Sequence, residues 1–220
     1  MLASYFLTEP IVFREGKINV LIIENQLLFR KTVKNFILQE KGENGEFVLS
    51  EDYRTLEFAK KAAFLSDIFN IDFSSKKITA RINQNICESL SENKDIYEII
   101  RLLNEIGAEG ISVADFDIQF SEIESLEDII PIFDFKIAEE EMELPEKIIE
   151  YMKIYRELFK KELFIFVNLK SCFSENEIEN FYSYVFYNKF NVLLLESVQR
   201  GIPRNDENTV IIDSDLCEIN

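Results

Sequence analysis

The chain has 220 residues, of which 47% are hydrophobic and 20 are Phe, and this composition is typical of a globular protein with a substantial core. Its 24 basic and 41 acidic residues give a formal net charge of −17, which taken alone disfavours nucleic-acid binding, although a segregated basic face can coexist with an acidic average. The chain has no histidine, and this excludes Ser-His triads, Cys-His dyads and imidazole metal sites.

Residues 1–25 predict three β segments, and the last of them, NVLIIEN, contains an apolar run typical of a strand buried on both faces. The residues that follow predict a helix with Phe29, Val33 and Phe36 on one face. Strand, short loop and helix is the arrangement in which P-loop proteins bind phosphate, but the glycine-rich loop and its Gly-Lys-Ser/Thr are missing here. We therefore do not expect nucleotide hydrolysis at this loop.

The middle of the chain predicts a short strand, FVLSE, and then three helices. The helices are marked by apolar residues at helical spacing, namely Phe58, Ala62, Leu65 and Phe69, then Ile78, Ile82, Ile86 and Leu90, then Ile96, Ile99, Leu103 and Ile106. We expect Gly107 and Gly110 to close the third helix and ISVADFDIQF to form a strand. Pro131 predicts that a helix in LEDIIPIF is kinked or very short.

Residues 163–197 predict a strand, a helix and a second strand. LFIFVN and NVLLLES are the apolar runs, and Ser174 with Glu177 predicts the capping box of the helix between them. Parallel strands joined by a helix need a right-handed crossover, so we interpret this segment as a βαβ unit. The tail, NTVIIDSDLC, predicts one more strand.

These elements predict an α/β protein with an inserted helical part. The α/β head would consist of about residues 1–52 and 142–220, and the insertion, a mainly α-helical leg, of residues 53–141. A single mixed α/β domain is the alternative.

The three cysteines, Cys87, Cys172 and Cys217, are far apart and form no CxxC pair, which is typical of reduced thiols in the cytoplasm. No apolar run approaches the roughly 20 residues needed to cross a bilayer, so we expect no membrane contact. Any bound metal should be a hard cation held by carboxylates.

Basic residues form three clusters, which are Arg30, Lys31 and Lys34, then Lys60 and Lys61, then Lys76, Lys77 and Arg81. A charge run is ordinarily a solvated face, but three clusters in an acidic chain weaken that interpretation. None has the interleaved aromatic residues of RNA-binding or single-strand-binding modules. If the clusters bind nucleic acid, they should contact duplex phosphates without reading sequence.

Acidic residues between 115 and 143 could gather a calcium ion, although the EF-hand frame is absent and a solvated acidic surface is the alternative. The candidate metal ligands are Glu122, Glu124, Asp128, Glu139 and Glu140. Asn168 stands where a Walker B strand would end in Asp, and a neutral amide is a poorer ligand for a hard cation. An α/β sheet that never bound nucleotide also fits this position.

In this order of segments the chain resembles the type II-A CRISPR adaptation proteins of the Csn-two family. The resemblance is carried by the long amphipathic helix that enters LFIFVNLKSCFSENEIENFYSYVFYNKFNVLLLE, and by the closing TVIIDSDLCE. PIVF, NVLIIEN and the helical insertion fall in the family's order. The resemblance covers essentially the whole chain and rests on texture and length rather than on a catalytic motif.

The resemblance implies a ring-shaped homotetramer in which a degenerate P-loop-ATPase-like head carries a helical leg. It implies that calcium ions stabilise the ring and that linear double-stranded DNA threads a lysine-lined hole. It also implies a protein without catalysis of its own, which acts in spacer acquisition beside the two integration nucleases and the effector nuclease of the locus. The charge conflict would then be resolved, because acid would lie outside or be neutralised by calcium while base lines the hole.

Two alternatives remain open at this point. One is a divergent metal-dependent nucleotide hydrolase or nuclease, for which Asp213 and Asp215 are candidate residues. The other is an acidic scaffold that binds protein partners and has no affinity for DNA.

Overall fold

The structure is a computed structural model that describes residues 1–93, 95–111, 113, 115–138 and 141–219. It divides into two compact units. We call Met1–Ile71 with Glu141–Asn220 the sheet unit, and Asp72–Glu140 the helical unit.

Nine strands and seven α-helices occur in the described ranges, and we number them in chain order. The strands are β1 (Leu2–Ser4), β2 (Ile18–Ile23), β3 (Phe47–Glu51), β4 (Arg54–Leu56), β5 (Ala62–Leu65), β6 (Leu163–Val167), β7 (Asn191–Glu196), β8 (Glu207–Ile212) and β9 (Glu218–Ile219). The helices are α1 (Gln26–Glu40), α2 (Phe58–Lys61), α3 (Lys76–Leu90), α4 (Asp95–Ile111), α5 (Leu126–Ile129), α6 (Leu144–Phe159) and α7 (Glu175–Tyr187).

The main sheet of the sheet unit has the strand order β5-β6-β7-β2-β8-β9. Neighbouring strands are parallel from β5 to β8, and β9 is antiparallel to β8. All six residues of β2 are buried, as expected for a strand with a covered sheet face on each side. The predicted α/β class is therefore confirmed. A second sheet, in the order β1-β3-β4, is antiparallel.

Side chains of β6 alternate between the two faces of the main sheet. Leu163 and Ile165 join an apolar cluster that includes residues of α1, β1 and β3. Phe166 points the other way and meets Phe181 of α7 edge-on, at 6.0 Å between ring centroids. Alternation with period two thus places α1 and the small sheet on one face and α7 on the other.

Phe36 of α1 is the centre of the first of these layers. Its ring stacks on Phe47 of β3 at 4.1 Å and on Phe58 of α2 at 5.6 Å, and it lies 5.3 Å from Phe64 of β5. The residue is fully buried. One aromatic ring therefore connects a helix, both sheets and the short α2.

The helix predicted from Phe58 to Phe69 was wrong, because only its first turn, α2, is helical. Ala62–Leu65 forms β5 instead, which is parallel to β6 and whose first three residues are buried. A short apolar run satisfies the helical and the strand period equally, so periodicity could not decide. The sheet unit consequently extends to Ile71, whereas the predicted head ended at residue 52.

The helical unit contains α3, α4 and α5. Phe120, in the predicted strand ISVADFDIQF, packs directly on Gly107 of α4. A Cβ atom at position 107 would lie only 2.5 Å from the Phe120 ring. Asn104 of α4 binds the backbone beyond this segment, where its amide donates to Ile123 O and its carbonyl accepts from Ile123 N, both at 2.9 Å. The strand prediction was wrong, because the described residues 113 and 115–120 form a turn, a bend and irregular backbone, and α4 continues past Gly107 to Ile111.

Two local predictions are confirmed. Ser174 and Glu177 form the capping box of α7. Before Pro131 the α-helix has only four residues, α5, and a 3-10 turn follows it. Among the described residues, no helix combines the length and the apolarity that crossing a bilayer requires.

Replacing Phe36 with Ala should lower the free energy of unfolding by about 3–5 kcal/mol, because removal of a ring that packs against β3, α2 and β5 leaves a cavity. The measurement is urea denaturation followed by circular dichroism. Leu27→Ala, on the same helix but with 67% of the residue exposed, is the matched control and should change stability by less than about 0.5 kcal/mol. Equal losses in the two variants would contradict the central position of Phe36.

Candidate functional site

The loop between β2 and α1 is where a P-loop protein would bind phosphate. Asn25 caps α1, since its Oδ1 accepts from Leu28 N at 3.0 Å, and its Nδ2 donates to Ser214 O at 2.9 Å. The loop is short, has no glycine and satisfies part of the helix N-terminus with its own side chain. This geometry agrees with the missing phosphate motif.

Asn168 follows β6 and has a left-handed backbone, with φ of 53°. Its Oδ1 accepts from both the N–H and the hydroxyl of Ser197, each at 2.9 Å. Its own N–H donates to Leu195 O at 2.9 Å. The amide thus connects the ends of β6 and β7, and asparagine is among the residues that accept this backbone conformation most readily.

Glu196, the last residue of β7, is 1% exposed. Its Oε1 accepts one hydrogen bond, from Lys170 N at 3.0 Å. Its Oε2 is buried and has no hydrogen-bond partner within the described part of the chain. Burial raises the pKa of this carboxyl to about 7, against the lowering effect of the Lys170 N–H and of the positive charges of Lys170 and Arg200.

Glu207, the first residue of β8, is a second buried carboxylate of the same region. It accepts from Lys170 Nζ at 2.7 Å, from Tyr182 OH at 2.6 Å and from Arg204 N at 3.2 Å. Burial, and next the hydrogen bond to Glu207, raise the pKa of Tyr182, so the phenol stays protonated. We call Glu196, Lys170, Glu207 and Tyr182 the buried polar cluster.

The buried polar cluster was not predicted from the sequence. The available signal was the acidic residue at the end of VLLLE and another at the start of ENTVII, each bordering an apolar strand. Asp213, in contrast, has a local role, because its Oδ1 accepts from Asp215 N at 2.9 Å and Cys217 N at 2.8 Å in the turn after β8.

The first basic cluster lies on the exposed face of α1. Lys31 forms an ion pair with Glu46 at 2.7 Å and donates to Tyr5 OH at 3.2 Å. Arg30 and Lys34 are exposed and have no ion-pair or hydrogen-bond partner among the described residues. Residues 25–39 contain these three cations and no acidic residue.

The second basic cluster lies on α2, in the same unit. Lys60 forms an ion pair with Glu57, and Lys61 forms one with Glu162. Both cations therefore already have carboxylate partners, although such exposed pairs are worth little. This cluster carries less uncompensated charge than the one on α1.

The third basic cluster lies at the start of α3, in the helical unit. Lys76 and Lys77 occupy the first turn, where they face the positive end of the helix dipole. Arg81 donates to Gln84 Oε1 at 2.7 Å. Residues 73–87 hold all three cations and no acidic residue. The structure thus places two clusters on the sheet unit and one on the helical unit.

The predicted metal ligands are only partly described. Glu122 and Glu124 are exposed, while Asp128 Oδ2 caps α5 by accepting from Glu124 N at 2.9 Å and Ser125 N at 3.2 Å. Glu139 and Glu140 lie outside the described residues. Within the described ranges, no group of three or more acidic or thiol side chains could hold a metal ion. These residues alone do not fit a calcium site, and calcium binding stays a prediction.

Comparison with known proteins gives matches over most of the chain. A family model described as CRISPR-associated protein (Cas_Csn2) matches residues 39–216. A CRISPR-associated protein Csn2 of Streptococcus agalactiae is 26% identical over 194 residues, and one of Enterococcus faecalis is 24% identical over 193 residues. Each alignment covers 86% of this chain and 86% of the relative.

Among solved structures, the chain is similar to a Pyrococcus furiosus protein assigned as an ABC transporter (ATP-binding protein). The match has 10% identity and covers 94% of this chain and 93% of that one, with a TM-score of 0.38. A similarity at this level carries no argument about function.

Tyr182→Phe should lower the free energy of unfolding by about 1–3 kcal/mol, because it removes a hydrogen bond to the buried Glu207 carboxylate. Thermal and urea unfolding at fixed pH measure the change. Tyr187→Phe removes the same hydroxyl from a residue of α7 that is 87% exposed, and it should leave stability nearly unchanged. An unchanged free energy of unfolding in Tyr182→Phe would show that the hydrogen bond from the phenol to Glu207 does not stabilise the fold.

Proposed function

We propose, since the chain belongs to the Csn2 family of CRISPR-associated proteins, that it binds the ends of linear double-stranded DNA. In this proposal a ring-shaped homotetramer surrounds the duplex and makes no sequence-specific contacts. It carries out no catalysis, and it supports spacer acquisition, and so antiviral defence, beside the integration nucleases and the effector nuclease of its locus.

The observation that carries the proposal is the segregation of basic charge. In a chain of net charge −17, residues 25–39 and 73–87 each contain three cations and no acidic residue. The two stretches cover most of α1 and most of α3, and Arg30, Lys31 and Lys34 lie on the exposed face of α1. Polyanion binding needs local clusters of Lys and Arg rather than a positive average.

The charges at the start of α3 favour the binding of an anion there. Cations in the first turn of a helix are unfavourable by about 0.3–1 kcal/mol each when exposed, because they face the positive end of the dipole. A duplex phosphate would reverse the sign of this interaction, since the helix end and both lysines attract an anion. Such contacts involve the backbone of DNA and carry no sequence information.

An apolar stripe on α4 supports self-association. Ile99, Leu102, Leu103 and Ile106 follow the spacing of one helix face, and each is at least 36% exposed. An amphipathic helix whose apolar face stays in water loses most of its reason to fold. A second copy of the chain is the partner that the proposed homotetramer would supply.

The absence of catalysis is proposed from the two loops at the carboxyl edge. Asn25 and Asn168 use their side chains to bind neighbouring backbone and hydroxyl groups. Neither loop has a glycine to cradle phosphate, and the end of β6 carries Asn168 where nucleotide hydrolysis needs a carboxylate for magnesium.

Charge reversal within the basic clusters should weaken DNA binding. For Lys76→Glu/Lys77→Glu, and separately for Arg30→Glu/Lys34→Glu, we expect affinity for linear duplex DNA to fall at least about tenfold. The slope of log affinity against log salt should become shallower by about one for each phosphate that the variant no longer binds. Fluorescence anisotropy at several salt concentrations measures both quantities.

The matched control is Lys41→Glu/Lys136→Glu, which makes the same change in net charge outside the clusters. Lys76→Glu/Lys77→Glu should also raise the melting temperature slightly, which separates loss of binding from loss of folding. Closed circular duplex should compete poorly, because a closed ring cannot thread it. Equal affinity for circular and linear DNA would contradict the ring.

Two outcomes would favour the alternatives. DNA cleavage or ATP turnover that Asp213→Ala abolishes would favour the enzyme. Unchanged DNA affinity in all of the charge-reversal variants would favour the scaffold.

Native mass spectrometry should show a tetramer in calcium that dissociates when the metal is chelated. Ile106→Glu, which places a charge in the apolar stripe of α4, should reduce the tetramer in calcium as well. Leu27→Glu, at a similarly exposed leucine of α1, is the control and should assemble normally. A monomer under all conditions would end the tetramer proposal, and a chelator-insensitive tetramer would end the role of calcium.

A further inference from the structure

Glu196 has fewer hydrogen-bond donors than a buried carboxylate needs. Its Oε1 has one donor, Lys170 N, and its Oε2 has none within the described ranges, although both oxygens are out of contact with water. An ionised carboxylate left in this state pays most of its desolvation cost without compensation. A protonated carboxyl in the same place needs far less.

The charges around Glu196 leave it without a cation of its own. Lys170 Nζ is paired with Glu207, and Arg200 Nε donates to Ser171 Oγ at 2.9 Å. Arg204, further along the same loop, forms ion pairs with Glu175 and Glu179 of α7 at 3.0 and 2.8 Å, and Asp206 lies 3.8 Å from it. On the flanking strands, β2 places Ile22 opposite Glu196, and β6 ends one residue earlier, at Val167.

The Lys170 ammonium, paired with Glu207, is therefore the one cation for two buried carboxylates within the buried polar cluster, and one proton balances the charge. Glu207 has three donors, in Lys170 Nζ, Tyr182 OH and Arg204 N, whereas Glu196 has one. Glu196 has the fewer donors, so the proton resides on Glu196. The raised pKa of Glu196 agrees with this assignment.

The segment 197–206 connects β7 to β8 and is fastened at both ends to this region. At its start, Ser197 donates twice to Asn168 Oδ1. At its end, Arg204 N donates to Glu207 Oε2. Its middle is held by Arg200, whose partner Ser171 lies in the turn that also contains Lys170. Glu207 thus binds the segment directly, whereas Glu196 precedes it in the chain and is linked to Glu207 through Lys170, whose N–H and Nζ bond one carboxylate each. Independently of both, Ile18 N of β2 donates to Asp206 O at 2.9 Å.

We propose that Glu196 is a proton-operated latch for the segment 197–206, closed when the carboxyl is protonated and loosened when its proton leaves to solvent. The ionised carboxylate competes with Glu207 for Lys170 and admits water to the end of β7. Because the folded state raises the pKa of Glu196 above its ordinary value, the stability it confers is fully present below pH 4.5 and is lost as pH rises through about 7.

Hydrogen exchange of the full chain, read by mass spectrometry for peptides spanning 197–206, tests the latch between pH 5.5 and 8.5. After correction for the intrinsic pH dependence of exchange, wild-type protection should fall at least about tenfold across this range. Glu196→Gln imitates the protonated carboxyl and should keep its protection at high pH. Glu175→Gln removes an exposed ion pair of Arg204 and should retain the wild-type pH dependence.

The same pH dependence in wild type and Glu196→Gln would overturn the proposal. If Glu196→Gln does not fold, wild-type protein with carbon-13 at the glutamate carboxyls gives the answer by NMR. One carboxyl resonance should then titrate near pH 7, well apart from the others, and its absence would also overturn the proposal. Neither measurement involves DNA, so the result is independent of the proposed function.

Discussion

Burial of the parallel strands on both faces is the constraint from which the sheet unit follows. A parallel neighbour cannot be reached by a tight turn, so each strand must be followed by a crossover that covers a face of the sheet. α7 makes this connection between β6 and β7, and α1 begins the one that leaves β2. The connection from β5 to β6 is the long one, because it contains the helical unit as well as α6.

The same constraint decides where charge can be placed. Strands that are buried on both faces have no water at their centres, so the ionisable residues of β7 and β8 stand at strand ends, as Glu196 and Glu207 do. Even there both are buried, and Glu207 is hydrogen-bonded to Lys170 and Tyr182 while Glu196 accepts from Lys170 N. The large remaining acidic surplus lies mostly on exposed surface, and the basic stretches 25–39 and 73–87 contain none of it.

The elements that could be predicted from the sequence are those whose pattern is long or chemically marked. The βαβ unit was found because two apolar runs flank a helix that begins with Ser174 and Glu177, and α3 and α4 were found because their apolar residues recur over four turns. β5 was missed because four apolar residues fit either period. The strand expected in ISVADFDIQF was wrong because alternation reports which residues are apolar and not whether a partner strand lies beside them, and the described residues of this segment pair with no strand.

Side-chain contacts distant in sequence were beyond prediction for a different reason. The partner of Glu207 is Lys170, and that of Asn168 is Ser197, and only the strand order brings these residues together. Site predictions that depend on local charge alone, such as the basic clusters, do not require contacts between distant residues, and they stay hypotheses. The candidate metal ligands do not gain the same support, because a metal needs three or more ligands to converge and local density does not make them do so.

The N-termini of the helices make the strongest internal argument for function. α1 begins with an Asn25 side-chain cap, and α6 and α7 begin with capping boxes that include a glutamate. α3 has Ser75 without a side-chain cap hydrogen bond, no acidic residue in its first turn, and two lysines in that turn. The first turn of α3 thus lacks an acidic residue although the chain contains 41 of them. Departures from local stability rules concentrate where function demands them, and an anionic ligand is the demand that this helix end would meet.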